Sequence, residues 1–357
     1  MRAVRETVSR SLKLALCLGT LLVIGPIASA QPQAVNGPPV DETLTPYVST
    51  ADSVELPDGR MLHFVCMGEG SPTVILSAGL GDFAGVAWST VQPEMAKITR
   101  VCSWDRPGFG LSDGTVSPVD ARSLAADLEA ALASGKMPSP YVMVGHSFGA
   151  NESLLFTDRH PDQVVGMVLV DPSIPDQAAL MQHIQPAVAP EQNPVVQLFR
   201  KCAAGIRAGT AKAGGPDPDH CFDYPPVWPL ALRQALSAKV ANPVQYETMA
   251  SIVGSANSGV SSGQVVNTSR NYRDMPLIVL TAGDRLLGVP PPPEETKAWL
   301  LAVGDVADRG HVELAALSTR GVNTRVPDAN HYIQRTQPQA VIDAVAQVVG
   351  EARASRR

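Results

Sequence analysis

The most chemically pointed stretch of the sequence is Gly145-His146-Ser147-Phe148-Gly149. It directly follows the apolar run Tyr141–Val144 and precedes a helical segment, Ala150–Arg159. Gly-x-Ser-x-Gly at a strand-to-helix junction forms a turn so tight that larger neighbours would clash, and it lifts the serine oxygen to the carboxyl edge of a sheet. The turn also sets Ser147 at a helix N-terminus, where the dipole favours developing negative charge. The implied chemistry is nucleophilic attack by Ser147.

A free hydroxyl is a poor nucleophile and needs a base. The histidines are His63, His146, His160, His183, His220, His311 and His331. His331 lies in the polar loop Asp328-Ala329-Asn330-His331-Tyr332, between an apolar stretch around Val322–Val326 and a terminal helix, and His311 precedes that stretch. His160 stands at a helix end before Pro161, and His146 is inside the tight turn; both read as structural. The base in turn needs an acid to orient it. Asp171 ends the run Val168-Leu169-Val170, and Asp284 follows Thr281-Ala282-Gly283. Either fits, and either could instead be a loop aspartate capping local backbone. An acyl-transfer serine also needs donors for an oxyanion. The Phe148 N–H supplies one. The second is expected from Leu80, in the loop Ser77–Asp82, whose glycines let backbone approach a substrate closely.

Short, continuously apolar runs at Thr73–Leu76, Tyr141–Val144, Val164–Val170 and Leu277–Leu280 read as central parallel strands covered on both faces. Between them Val119, Leu124, Leu128 and Leu132 recur at near-helical spacing, and Val341, Ile342, Val345 and Val348 mark a terminal helix over residues 337–352. This alternation predicts an α/β fold, a mostly parallel sheet with helices on both faces. A hairpin turns at Pro57-Asp58-Gly59. Residues 49–171 and 271–357 form the core. Residues 172–270 break the pattern and read as a partly helical insertion, and Pro290–Pro293 as a stiff loop.

Residues 1–30 have a basic start, an apolar run from Leu14 to Ile27, and Ala28-Ser29-Ala30. This is the pattern of a secretory signal peptide cleaved after Ala30. The run is short for a membrane span and is broken by Gly25 and Pro26, so no stable anchor is expected after cleavage. Residues 31–48 are proline-rich and read as an extended lead-in. Removing the leader leaves 24 basic and 33 acidic residues, a net of −9 with no basic stripe, which argues against a nucleic-acid partner. No cofactor or metal motif is visible. The cysteines Cys66, Cys102, Cys202 and Cys221 remain, an even number that favours disulfides in an exported chain and allows three pairings. Cys202 and Cys221 share the loop-rich insertion, where a staple helps most.

Taken together, these residues resemble the α/β-hydrolase superfamily. Ala78-Gly79-Leu80 stands where many members have His-Gly-x, and Asp105-Arg106-Pro107-Gly108-Phe109-Gly110-Leu111-Ser112 looks like the turn typical after the fourth strand. The resemblance covers about residues 50–350 and matches poorly over 172–270. It implies an eight-stranded, mostly parallel sheet with a cap between strands six and seven, where the insertion lies. It implies the chain order serine, acid, histidine, which selects His331 as base. Most members place the acid after the later strand, a few residues past a glycine. The position three past Gly283 is Leu286, so Asp284 would be displaced. Some members place it directly after the earlier strand, as Asp171 stands; the reading leans to Asp171. The family's strand order also sets the strands of Cys66 and Cys102 side by side, so the resemblance implies Cys66–Cys102, beside the Cys202–Cys221 staple expected in the insertion.

The expected activity is hydrolysis of a carboxylic ester on a small-molecule acyl substrate, through an acyl-enzyme on Ser147. Members with dehalogenase or epoxide hydrolase chemistry carry aspartate at the turn, so serine argues against both. Amidase, thioesterase, acyltransferase, C–C hydrolase and cofactor-free haloperoxidase chemistry use the same machinery, and a retired, non-catalytic binding protein is the remaining alternative. The Ala-, Val- and Leu-rich insertion hints at an apolar acyl group.

Overall fold

The computed structural model describes residues 39–184, 188–288 and 293–355. The expected leader, the first part of the lead-in and Pro290–Pro292 of the expected stiff loop lie outside them. Strands β1 (Val54–Glu55) and β2 (Met61–Leu62) form an antiparallel hairpin around the Pro57-Asp58-Gly59 turn. The main sheet holds β3 (Phe64–Met67), β4 (Thr73–Ser77), β5 (Val101–Trp104), β6 (Tyr141–His146), β7 (Val164–Val170), β8 (Leu277–Ala282) and β9 (Gly321–Val326). Its order is β3-β5-β4-β6-β7-β8-β9, and β3 alone runs antiparallel to its neighbour.

Among the described residues the main sheet therefore has seven strands, not eight. The hairpin stands apart because loop residues satisfy its backbone. Met61 N–H donates to Asp113 Oδ2 at 2.8 Å, and Asp113 N–H donates back to the Met61 carbonyl at 2.9 Å. His63 N–H donates to Ser112 Oγ at 2.8 Å. With those groups engaged, little edge remains for the main sheet to extend.

The longer helices are α1 (Ala121–Ala133), α2 (Gly149–Arg159), α3 (Pro194–Ala208), α4 (Leu230–Val240), α5 (Pro243–Asn257), α6 (Glu294–Ala315) and α7 (Pro338–Ala354). Successive strand residues point to opposite faces, and both faces are covered. Val74, Leu76, Val142, Val144, Val168 and Val170 pack with Trp88, Met95 and α7. Ile75, Met143, Met167 and Leu169 pack with α1, α2 and α6. This is why the strands read as unbroken apolar runs. Helix α1 starts on a capping box between Asp120 and Ser123 and buries Leu124, Leu128 and Leu132.

The end of the lead-in is folded rather than extended. Glu42–Val48 is a 3-10 helix capped by Asp41, and it buries Leu44 and Tyr47. The Tyr47 hydroxyl donates to Gln92 Oε1 at 2.8 Å, so an aromatic anchor overrides the proline-rich composition. The segment between β7 and β8 carries α3, α4 and α5. Ile252 of α5 packs with Phe148 and Leu80, bringing this segment onto the serine turn. Both expected disulfides are present. Cys66–Cys102 joins directly opposed residues of β3 and β5, and Cys202–Cys221 ties α3 to the loop before α4. Among the described residues no helix is long and apolar enough to cross a membrane.

Candidate active site

Strand β6 delivers Ser147 to the carboxyl edge of the sheet in a left-handed conformation, with φ +51°. A non-glycine residue there is strained. The two flanking glycines allow it. A Cβ at Gly145 would lie 2.5 Å from the Gly149 carbonyl oxygen, and one at Gly149 would lie 2.3 Å from that of Ser77. Ser147 N–H donates to the Val170 carbonyl at 3.1 Å, and the Ser147 carbonyl accepts from Ser173 N–H at 2.9 Å. The turn is thus pinned to β7 and the loop after it.

His331 reaches this turn from the loop after β9. Its Nε2 lies 2.9 Å from Ser147 Oγ, and its Nδ1 lies 2.6 Å from Asp171 Oδ2. Asp171 is 2 % exposed and sits one residue past β7. Ala282 N–H donates to its Oδ1 at 2.9 Å, and Arg285 Nη1 donates to its Oδ2 at 2.9 Å. Burial alone would raise this carboxyl. The His331 hydrogen bond and the Arg285 charge outweigh burial and hold it well below the usual carboxylate range.

Of the two candidate acids, only Asp171 meets His331. Asp284 is exposed, and its Oδ1 accepts from Leu286 N–H at 2.9 Å, two residues along the same turn. It caps local backbone, while its neighbour Arg285 turns inward to Asp171. His311 is not at the serine either. It is buried in α6, with Nδ1 2.9 Å from Thr281 Oγ1 and Nε2 2.9 Å from the Pro172 carbonyl oxygen. His146 lies beneath His331, with Nε2 3.0 Å from the His331 carbonyl oxygen. Burial, and then the neighbouring His331, push its imidazole down to about 3, so it stays neutral.

The loop after β4 approaches closely, since a Cβ at Gly79 would lie 2.8 Å from His146 Nδ1. Neither the Leu80 nor the Phe148 N–H has a hydrogen-bond acceptor among the described residues. Two residues missed at the sequence level hold this loop. Arg106 donates from Nη1 to the Gly79 carbonyl at 2.9 Å and from Nη2 to that of Ala78. Glu152 of α2 receives the same guanidinium at 2.6 and 2.9 Å. Both side chains are buried, and burial pushes the Glu152 carboxyl up against the pull of Arg106. The signal was Arg106 in the turn after β5, read only as a turn. Glu152, a carboxylate on the buried side of a helix, needed a buried cation to explain it. In the same turn Asp105 Oδ2 lies 2.7 Å from His63 Nδ1. Asp105 Oδ1 accepts from Ala84 N–H at 2.7 Å. Asp105 thereby braces the start of the short helix Ala84–Trp88, which follows β4.

A serine, an imidazole and a buried carboxylate in line can move one proton from hydroxyl to imidazole while the carboxylate steadies the cation. A cavity of about 230 Å³ opens beside Ser147, lined by Leu80, Phe148 and polar as well as apolar side chains. It is more polar than the apolar acyl site hinted at by composition.

The family model described as alpha/beta hydrolase matches residues 74–344, from β4 into α7. The chain belongs to the alpha/beta hydrolase family. The chain is similar in fold to an esterase from Thermogutta terrifontis, with TM-score 0.52 and 18% identity over 84% of this chain and 98% of that one. It is 42% identical over 90 residues to an uncharacterized protein of Schizosaccharomyces pombe, covering 25% of this chain and 17% of that one. It is 32% identical over 104 residues to the 2-hydroxymuconate semialdehyde hydrolase of Pseudomonas sp. (strain CF600), covering 29% of this chain and 37% of that one. The chain thus spans less than half the length of these curated relatives.

Proposed function

We propose that the protein is an exported serine hydrolase that cleaves a carboxylic ester on a small-molecule substrate. The observation that carries this is the unbroken line of hydrogen bonds Asp171–His331–Ser147 beside a cavity. His331 Nε2 takes the Ser147 hydroxyl proton as Oγ attacks the ester carbonyl. The Phe148 and Leu80 N–H groups donate to the oxyanion of the tetrahedral intermediate. The intermediate collapses, the alkoxide leaves with the proton from His331, and an acyl-serine remains. Water then gives a proton to His331 and attacks the acyl carbon; the bond to Ser147 Oγ breaks, His331 returns the proton to Oγ, and the acid leaves. Asp171 stays ionised throughout and stabilises the imidazolium. The segment between β7 and β8 acts as the cap over the cavity. No metal or cofactor is assigned a role.

Serine rather than aspartate at the turn supports acyl transfer over epoxide or haloalkane opening. The leader pattern of residues 1–30 and the two disulfides support export. The test is hydrolysis of short- and medium-chain p-nitrophenyl esters by the mature protein beside Ser147→Ala, with fluorophosphonate labelling of both. Labelling and turnover lost together in the variant are expected. A folded wild-type protein that neither labels nor turns over any ester would contradict the reading.

A further inference from the structure

The cavity beside Ser147 mixes two kinds of wall. Leu80, Phe148 and Met181 are apolar, whereas Asn151, Ser173, Gln177, Asn257 and Ser262 carry neutral polar side chains. No charged side chain lines it among the described residues. Several of the polar groups already serve the fold. Gln177 Oε1 accepts from Ile174 N–H at 3.1 Å, Asn257 Nδ2 donates to the Val253 carbonyl at 2.9 Å, and Ser262 Oγ donates to that of Gly259 at 3.2 Å.

Asn151 is different. It lies on the first turn of α2, four residues past Ser147, and is 1 % exposed. Its Oδ1 is buried and has no hydrogen-bond partner among the described residues. A buried amide left unpaired is costly, and such groups are ordinarily satisfied. This oxygen is unpaired in the wall of the cavity beside Ser147.

We infer that Asn151 is a specificity residue that hydrogen-bonds a neutral polar group, a hydroxyl above all, on the short part of the substrate that fills this cavity. This rests on the serine hydrolase reading and narrows its substrate class to short hydroxyl-bearing esters. The absence of lining charge disfavours a carboxylate or ammonium, which would lose water without a counter-ion. A cavity of about 230 Å³ disfavours a long chain. A site with an unpaired polar group also rejects the analogue that lacks the matching group, because that analogue leaves the amide buried and unsatisfied.

The experiment compares esters that differ by one hydroxyl-for-methyl exchange. One pair carries it on the acyl side: p-nitrophenyl 3-hydroxybutyrate against p-nitrophenyl 3-methylbutyrate. The other carries it on the alcohol side: 2-hydroxypropyl butyrate against 2-methylpropyl butyrate. Wild type is expected to favour the hydroxyl member in kcat/KM by about tenfold or more in one pair, which identifies the side that enters the cavity. Asn151→Leu is expected to bring that ratio to about one or below. Asn151→Ala, smaller and checked for fold by its melting curve, repeats the comparison. A wild-type protein that labels with fluorophosphonate yet shows no hydroxyl preference in either pair overturns the inference, and so does a ratio unchanged in both variants. Failure of the wild type to label overturns the hydrolase reading itself, a distinct result.

Discussion

Arg285 and His331 share one oxygen. Both donate to Asp171 Oδ2, Arg285 from Nη1 at 2.9 Å and His331 from Nδ1 at 2.6 Å. Arg285 is held in turn by Asp308, whose Oδ1 accepts from Nη2 at 2.6 Å. The Asp171 carboxylate therefore already faces a permanent cation. Arg285→Gln removes that cation and leaves more of the carboxylate's field on His331, so the imidazolium holds its proton to higher pH. The acidic limb of the kcat/KM profile should move up by about 0.5–1 pH unit. An unmoved or lowered limb would show that Arg285 only braces the loop.

The buried pair Arg106–Glu152 supports the loop after β4 from below. Arg106→Met leaves Glu152 buried without its cation and frees the Ala78 and Gly79 carbonyls. Denaturant unfolding should show a loss of about 3–5 kcal/mol. Turnover of the folded variant should fall at least tenfold, with little change in KM, because the loop carries the Leu80 N–H proposed as an oxyanion donor. Wild-type turnover in that variant would separate the pair from the oxyanion loop.

His146 makes stability pH-dependent with a definite sign. Its folded value is about 3, and an unfolded histidine titrates near about 6.5. Between these the unfolded chain binds a proton that the folded chain refuses. The contribution is intact above about pH 6.5 and is lost as pH falls toward 3, by up to about 1.4 kcal/mol per pH unit. His311 is lowered by burial and acts in the same direction. His63 opposes it. Burial lowers that imidazole, Asp105 raises it by more, and its contribution is lost as pH rises through the folded value. His146→Phe should flatten the stability–pH slope between pH 6 and 4.5 by about one proton. An equal slope in both proteins would place the acid sensitivity elsewhere.

Cys202–Cys221 closes a loop with a sequence separation of 19, which on chain-entropy grounds stabilises by about 3 kcal/mol. The double variant Cys202→Ser/Cys221→Ser should lose about that much in denaturant unfolding under oxidising conditions. A difference below about 0.5 kcal/mol would mean that the packing of Ala203, Val240 and Tyr246 around the bridge holds the segment unaided.

The serine turn was legible because its glycines answer to local sterics, which sequence records directly. The strands β6, β7 and β8 were legible because double burial leaves no polar residue in them. The choice between Asp171 and Asp284 was not. Both follow apolar strands, and what separates them is side-chain direction, set by Arg285 and the His331 loop across the sheet. The strand count failed for a related reason. Val54–Glu55 and Met61–Leu62 are too short for periodicity to say which sheet they join, and the deciding bonds come from Ser112 and Asp113, some fifty residues on. Tyr47 gave the 3-10 helix its buried anchor, yet an isolated aromatic among prolines carries no period.

In the proposed function Ser147, His331 and Asp171 act as one unit. The most direct measurement is kcat on the best p-nitrophenyl ester for wild type, Ser147→Ala, Asp171→Asn and Asp284→Asn, each confirmed folded by its melting curve. A fall of about 10⁴ is expected for Asp171→Asn, loss of turnover for Ser147→Ala, and a change of no more than about threefold for Asp284→Asn. Near-wild-type turnover in Asp171→Asn together with collapse in Asp284→Asn would contradict it.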